Sequence, residues 1–144
     1  MWSYRNPVDV RFGQGSFGSL AGLLAGRSYV LVTYGEPYFR SLATDLEKAA
    51  GKPLLVIDDI APNPDLAALE AQCARIAAAA AGDGGPAVIV ALGGGSVIDS
   101  AKVFAAAAGG GAGFGAVAAH LRQAPAPGRF APLPVIAVPT TAGT

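Results

Sequence analysis

The residues best suited to chemistry are three glycines and a serine, Gly93-Gly94-Gly95-Ser96, between an apolar run and a helical pattern. Glycines allow a sharp turn, and a ligand can approach their backbone because no Cβ stands in the way. Ser96 is predicted to be the helix N-cap, so the free N–H groups of the first turn would point back at the loop. This arrangement indicates a site for an anionic group, most simply a nucleotide phosphate. A purely structural turn is the alternative.

Other polar residues could complete such a site. Asp99 is placed to accept hydrogen bonds from sugar hydroxyls, whereas Lys102, one helical turn further on, could simply belong to a solvated helix face. Thr140, Thr141 and Thr144 directly follow a predicted strand. They would therefore lie at the carboxyl edge of a parallel sheet, where ligands bind in open α/β folds. Ordinary turn chemistry would also explain these threonines.

A second glycine pattern lies near the start of the chain. Gly13-Gln14-Gly15-Ser16-Phe17-Gly18 matches the dinucleotide fingerprint G-x-G-x-x-G, and Glu36 follows it as a candidate ribose-binding acid. The preceding Val8–Phe12 is predicted to be a strand, but Asp9 and Arg11 interrupt it, which is not typical of a central parallel strand. We therefore favour a turn beside an edge strand over a pyrophosphate loop.

The side chains that catalysis or metal binding requires do not form a recognisable set. The sequence offers no Ser-His-Asp arrangement, carboxylate pair or Cys-His pair at a suitable spacing. His120 has no partner at ligand spacing and is predicted to be a surface residue, not a metal ligand. Cys73, the single cysteine, lies in an apolar stripe and is predicted to be a buried packing residue. The sequence thus predicts a binding site without catalytic residues.

Alternating strands and helices would position the glycine turn. Val88–Leu92, just before it, is uniformly apolar, as expected of a strand buried on both faces. Further strands are predicted at Tyr29–Thr33, Leu54–Ile57 and Val135–Val138, with helices near Leu20–Leu24, Pro37–Ala50, 66–81, 97–108 and 116–122. Gly109–Gly115 is expected to be flexible, and Ala124–Pro134 to be a proline-rich connection. This order predicts an α/β fold, an open, mainly parallel Rossmann-like sheet with helices on both faces.

Composition narrows the possible partners. Ten basic and ten acidic residues give no net charge to attract nucleic acid. No apolar run is long enough to span a membrane, and the start of the chain has no signal-peptide core, so we expect a cytoplasmic protein. The chain stops soon after a predicted strand and a polar loop, which suggests a fragment or a truncated gene product.

Two long motifs, Gly93 to Lys102 and Val138 to Thr144, resemble those of the iron-containing (group III) alcohol dehydrogenases. Arg11–Gly15 and Ala61–Asp65 are similar to further landmarks of that family, in its order and spacing. The resemblance implies that residues 1–144 form the N-terminal NAD(P)-binding domain of a homo-oligomeric oxidoreductase. Such enzymes transfer a hydride between NAD(P) and a small alcohol or aldehyde. The helical domain that binds the family's divalent metal, iron or zinc, through one Asp and three His would be absent, which would leave this chain inactive.

The resemblance also implies which residues contact the cofactor. The glycine turn would hold the pyrophosphate, Asp99 would lie near the nicotinamide ribose, and Asn63 would contribute on the adenosine side. The threonines after the last strand would line the same cleft. The full set of implied cofactor-binding positions is Gly94, Gly95, Ser96, Val97, Asp99, Thr140, Thr141, Thr144, Asn63, Tyr34 and Gly35.

The sequence leaves open the choice between NAD and NADP and the identity of the substrate. NAD-preferring members of the family have an acidic residue at the position of Tyr34, and Thr33-Tyr34-Gly35 is more similar to the NADP-using butanol dehydrogenases. Glu36 would repel a 2′-phosphate if it faced the ribose. Trp2–Val8 resembles phosphonoacetaldehyde reductases within the family. Dehydroquinate synthases and glycerol-1-phosphate dehydrogenases have a similar glycine turn with a downstream Asp, so an enzyme of either kind is a second hypothesis. A non-catalytic nucleotide-binding module is a third hypothesis.

Overall fold

A four-stranded parallel sheet forms the centre of the computed structural model, which describes residues 7–111, 113–123 and 130–141. Its strands are β1 (Tyr29–Val32), β2 (Leu55–Ile57), β3 (Val88–Gly93) and β4 (Val135–Pro139). They lie in the order β2-β1-β3-β4, and each neighbouring pair is parallel. The predicted α/β fold with an open, parallel Rossmann-like sheet is therefore confirmed.

Helices cover both faces of this sheet. They are α1 (Leu20–Leu24), α2 (Pro37–Ala50), α3 (Leu66–Asp83), α4 (Gly95–Ala108) and α5 (Gly113–Gln123), with a 3-10 helix at Ser16–Ser19 before α1. Because successive strand residues point to opposite faces, β1 contributes Tyr29 and Leu31 to one core and Val30 and Val32 to the other. The first core contains residues of α1 and α2, and the second contains residues of α3 and α4.

Local sequence signals explain how α2 and α3 begin and end. Pro37 stands at the start of α2, where its missing N–H costs nothing, and the helix ends before Gly51, whose φ is 90°. Asp65 caps α3, since its Oδ1 accepts a hydrogen bond from the Ala68 N–H at 2.8 Å. The buried Tyr29 hydroxyl donates to the Gly51 carbonyl at 2.8 Å. Burial, with a smaller contribution from Glu47, raises the pKa of Tyr29.

The strand predicted at Val8–Phe12 is wrong. This segment lies outside every strand of the described residues, and Val10 and Phe12 are 76% and 99% exposed. Alternating apolar residues stabilise a strand only when a neighbouring strand or helix covers them, and the β2-β1-β3-β4 sheet does not include this segment. The glycine pattern that follows forms a turn into the 3-10 helix, so a turn is present without the expected edge strand.

The region before β4 also differs from the prediction. Helix α5 begins at Gly113, so residues 113–115, which were expected to belong to a flexible segment, are helical. Of the predicted proline-rich connection, residues 124–129 lie outside the described part of the chain, and residues 130–134 have no regular structure. No helix within the described residues is long and apolar enough to cross a membrane.

Candidate nucleotide-binding site

The candidate site is the turn between β3 and α4. Gly93 is the last residue of β3, Gly94 is the N-cap of α4 with extended backbone (φ −84°, ψ −166°), and Gly95 is the first helical residue. The prediction that Ser96 is the N-cap is therefore wrong. Gly93 still pairs with Pro139 of β4, so the sheet extends into the glycine run and the helix starts earlier. The Ser96 Oγ instead accepts a hydrogen bond from the Asn63 N–H at 3.2 Å.

The three glycines have different surroundings. A Cβ on Gly93 would lie 2.7 Å from Val97 Cγ2 and 3.2 Å from Tyr34 Cε2, so the packing of α4 on the sheet requires glycine there. A Cβ on Gly94 would make ordinary contacts, 3.5 Å from the Thr141 Oγ1. A Cβ on Gly95 would meet nothing within 4 Å. The space beside Gly95 is thus open to a ligand.

The N-terminus of α4 can bind an anion. The first intrahelical hydrogen bond runs from the Ile98 N–H to the Gly94 carbonyl at 3.1 Å, so the N–H groups of Gly95, Ser96 and Val97 have no acceptor within the helix. The first turn carries no acidic side chain to neutralise the positive end of the helix dipole. Val97 has a fully buried side chain, so it can contribute only its backbone. These groups fit a pyrophosphate.

The residues that follow β1 and β4 form the walls of this site. The Thr140 N–H donates to the Gly93 carbonyl at 3.1 Å, which continues the β3–β4 pairing past the strand end. Thr141 packs beside Gly94, and the Tyr34 hydroxyl lies 3.7 Å from the point where a Gly94 Cβ would be. The structure therefore places Tyr34 and Thr141 beside the glycine turn, while Thr144 lies outside the described residues.

Asn63 reaches the same place from the loop after β2. Its N–H bond to Ser96 links that loop to the first turn of α4. Asn63 has a φ of 50°, in the left-handed region, although a residue before proline usually has extended backbone. Asn tolerates this conformation better than most residues, and that tolerance outweighs the usual preference of a residue before proline.

Asp99 and Lys102 form an ion pair on the exposed face of α4. Lys102 Nζ lies 2.9 Å from Asp99 Oδ1, and the two side chains are 65% and 72% exposed. An ion pair this exposed contributes at most about 1 kcal/mol, so Asp99 can exchange it for sugar hydroxyls at little cost. Lys102 is solvated, in agreement with the alternative considered for it.

The described residues do not fit the metal that the resemblance implies. They contain no group of three or more His, Cys, Asp or Glu side chains that could hold a metal ion. His120 packs its ring edge-on against Phe130, with centroids 5.3 Å apart. Cys73 is buried as predicted, and that burial, with a smaller effect from Glu70, raises the pKa of its thiol to about 11.

Asp58 and Arg40, which no motif in the sequence marks, lie next to Gly35 at the carboxyl edge of the sheet. The available signal was an acidic residue directly after β2, at the same edge as the glycine turn. Arg40 lies in the first turn of α2, and nothing in its sequence context distinguishes it from an ordinary solvated helix residue.

Several solved structures are similar to this chain. A sulfoacetaldehyde reductase from Bifidobacterium kashiwanohense in complex with NAD+ has a TM-score of 0.80 and 30% identity, over 100% of this chain and 37% of that chain. An iron-containing alcohol dehydrogenase has a TM-score of 0.69 and 25% identity, over 100% of this chain and 39% of that chain. An NADH-dependent butanol dehydrogenase A from Thermotoga maritima has a TM-score of 0.58 and 26% identity, over 74% of this chain and 27% of that chain. The chain thus spans well under half the length of each of these proteins.

The family resemblance of the two long motifs is confirmed by the sequence as a whole. No curated protein is significantly similar to the chain. The family model described as iron-containing alcohol dehydrogenase, however, matches residues 7–144. On the strength of that match, the chain belongs to the iron-containing alcohol dehydrogenase family.

Proposed function

We propose that this chain is the NAD(P)-binding part of an oxidoreductase that transfers a hydride between NAD(P) and a small alcohol or aldehyde. The observation that carries the proposal is the open N-terminus of α4, where no side chain stands within 4 Å of a Cβ position on Gly95. Family membership supports it, as do the NAD+ bound to the similar sulfoacetaldehyde reductase and the NADH dependence of the similar butanol dehydrogenase.

In this proposal, different residues of the site contact different parts of the cofactor. The N–H groups of Gly95, Ser96 and Val97 hold the pyrophosphate, and the hydroxyls of Thr140 and Thr141 border it. The adenosine extends toward Asn63, since β1 and β2 lie on that side of β3. The nicotinamide ribose lies toward Asp99. When bound, NAD(P) supplies the hydride acceptor or donor, and this chain binds and orients it.

The finer features of the enzyme rest on the family resemblance. We propose that a divalent metal, iron or zinc, is held by residues beyond this chain and supplies the Lewis acid for the alcohol oxygen. The 144-residue chain then binds cofactor without turnover. We further propose a homo-oligomeric cytoplasmic parent enzyme that uses NAD or NADP, with phosphonoacetaldehyde as one candidate substrate. The matched family favours an alcohol dehydrogenase over a dehydroquinate synthase or a glycerol-1-phosphate dehydrogenase.

The binding proposal can be tested by calorimetric titration of NADH and NADPH into the wild-type chain and Gly95→Val. The valine side chain would fill the open space, so we expect affinity to fall by at least about tenfold. Gly115→Val is the matched control, because Gly115 is an exposed helical glycine of α5 whose Cβ position also meets nothing within 4 Å. Equal binding by wild type and Gly95→Val would exclude the glycine turn as the cofactor site.

A separate assay addresses the chemistry. The purified 144-residue chain, mixed with ferrous iron, NAD+ and a small alcohol, is expected to produce no NADH absorbance. Steady production of NADH under these conditions would contradict the assignment of the metal-dependent step to residues outside this chain.

A further inference from the structure

Gly35, just after β1, lies between a carboxylate and a guanidinium. A Cβ on Gly35 would lie 3.3 Å from the Asp58 carbonyl oxygen, 3.8 Å from Asp58 Oδ2 and 3.7 Å from an Arg40 guanidinium nitrogen. Asp58 directly follows β2, and Arg40 lies in the first turn of α2. Two oppositely charged side chains from different elements therefore lie beside a residue that has no side chain of its own.

Neither charged side chain has a partner among the residues that the structure describes. Within residues 7–111, 113–123 and 130–141, the side chains of Asp58 and Arg40 form no hydrogen bond or ion pair. The neighbouring Asp59 differs, because both of its oxygens accept from Arg75 Nη1 at 2.9 Å. Asp58 is half-buried and Arg40 is exposed. A half-buried carboxylate with no partner has its hydrogen-bonding capacity available for a ligand.

These two groups lie along the path of the adenosine in the proposed function. Strand β1 stands between β3, which carries the glycine turn, and β2, whose following loop carries Asn63. The Tyr34 ring, one residue before Gly35, contacts the glycine turn through Cε2, 3.2 Å from a Cβ position on Gly93. Tyr34 therefore connects the glycine turn to Gly35, and Asp58 lies next to Gly35. A nucleotide with its pyrophosphate at the glycine turn and its adenosine directed toward β1 and β2 would bring its ribose toward Asp58.

We propose that Asp58 determines cofactor selectivity and makes NAD(H) the preferred cofactor, an inference that rests on the proposed function. The Asp58 carboxylate accepts a hydrogen bond from the ribose 2′-hydroxyl of NAD(H). In NADP(H), a 2′-phosphate occupies that position and is repelled by the same carboxylate. Arg40 attracts the phosphate, but it is more exposed than Asp58 and its attraction is more strongly screened. Asp58 thereby supplies, from the adjacent strand, the negative charge that Tyr34 does not provide.

The test measures dissociation constants for NADH and NADPH with the wild-type chain, Asp58→Asn and Asp59→Asn. We expect wild type to prefer NADH, and Asp58→Asn to lower the NADH-to-NADPH preference by about tenfold or more. Asp59→Asn removes the same charge from the adjacent residue, whose carboxylate is held by Arg75, and is expected to leave the preference unchanged. An unchanged preference in Asp58→Asn, or the same change in both variants, would overturn the inference.

Two further variants complete the test. Arg40→Gln changes an exposed residue and is expected to weaken NADPH binding more than NADH binding, so it keeps the inference testable if Asp58→Asn does not fold. If Arg40→Gln keeps the wild-type preference between NADH and NADPH, the result would count against a position of the adenosine ribose beside Arg40 and Asp58. If Glu36→Gln changes the preference and Asp58→Asn does not, Glu36 contacts the ribose and the inference is wrong. A wild-type chain that binds neither nucleotide would instead contradict the proposed function itself.

Discussion

Gly93, Gly94 and Gly95 differ in what a side chain would meet at each position. The first is fixed by the packing of Val97 and Tyr34, the second borders Thr141, and the third faces open space. One run of identical residues therefore contains a packing requirement at Gly93 and open space at Gly95. Residue type alone predicted that a phosphate could bind here. Which glycine is needed for packing and which faces open space depends on contacts that the sequence does not contain.

Cys73 gives a prediction at the scale of one side chain. Burial raises the pKa of its thiol to about 11, with Glu70 adding a smaller effect, so the thiol stays protonated at neutral pH. Since the thiolate is the reactive form, we expect iodoacetamide to modify the folded chain at pH 8 far more slowly than the chain unfolded in urea. Mass spectrometry over time measures both rates, and Cys73 is the single cysteine. Similar rates in the folded and unfolded chains would contradict this assignment.

The raised pKa of the Cys73 thiol also makes the free energy of unfolding depend on pH. The folded-state pKa of Cys73 lies above its ordinary value of 9.0, so the folded chain holds the thiol proton more tightly than the unfolded chain. Its contribution is therefore complete below about pH 9 and is lost as the pH rises from there toward 11. The stability advantage of wild type over Cys73→Ala, from urea unfolding, should shrink over that interval. An advantage that stays constant would contradict the shift.

At the scale of elements, the joint between β3 and α4 depends on Gly93. An alanine there would place its methyl carbon 2.7 and 2.9 Å from Val97 side-chain carbons, so we expect Gly93→Ala to lower the free energy of unfolding by about 1–3 kcal/mol. Gly95→Ala adds the same methyl group at the first residue of α4, where nothing lies within 4 Å. It should leave the free energy of unfolding unchanged or slightly higher, since alanine favours helix. Urea unfolding of both variants measures the difference, and equal losses would contradict the packing role of Gly93.

Elements with local signals were predictable from the sequence, and those that depend on distant partners were not. Helices α2 and α3 begin where Pro37 and Asp65 indicate, because these signals act within one helical turn. The strand expected at Val8–Phe12 failed, since a strand needs a neighbour that sequence alternation cannot supply. Ser96 failed as a cap for a related reason, because the pairing of Gly93 with Pro139 determines where β3 ends.

At the scale of the whole molecule, parallel topology assembles the site. Tyr34, Asp58, the glycine turn and Thr140 follow four different strands, and all lie at the carboxyl edge of one sheet. This convergence was predictable for the glycine turn and the threonines, because a parallel sheet brings every strand's end to the same edge. The position of Asp58 and Arg40 beside Gly35 was not predictable, because it depends on the order of β1 and β2 and on the absence of a side chain at Gly35.

The stability of the whole chain should respond to the cofactor. A ligand that binds only the folded state, present at one hundred times its dissociation constant, raises the free energy of unfolding by about 2.7 kcal/mol. We expect NADH to stabilise wild type and Gly115→Val to this extent in urea unfolding. Gly95→Val should gain much less at the same NADH concentration, because the valine side chain occupies the space beside the N-terminus of α4. Equal stabilisation of all three chains would mean that NADH binds elsewhere. A larger gain with NADPH than with NADH at equal concentration would instead contradict the inferred preference for NAD(H).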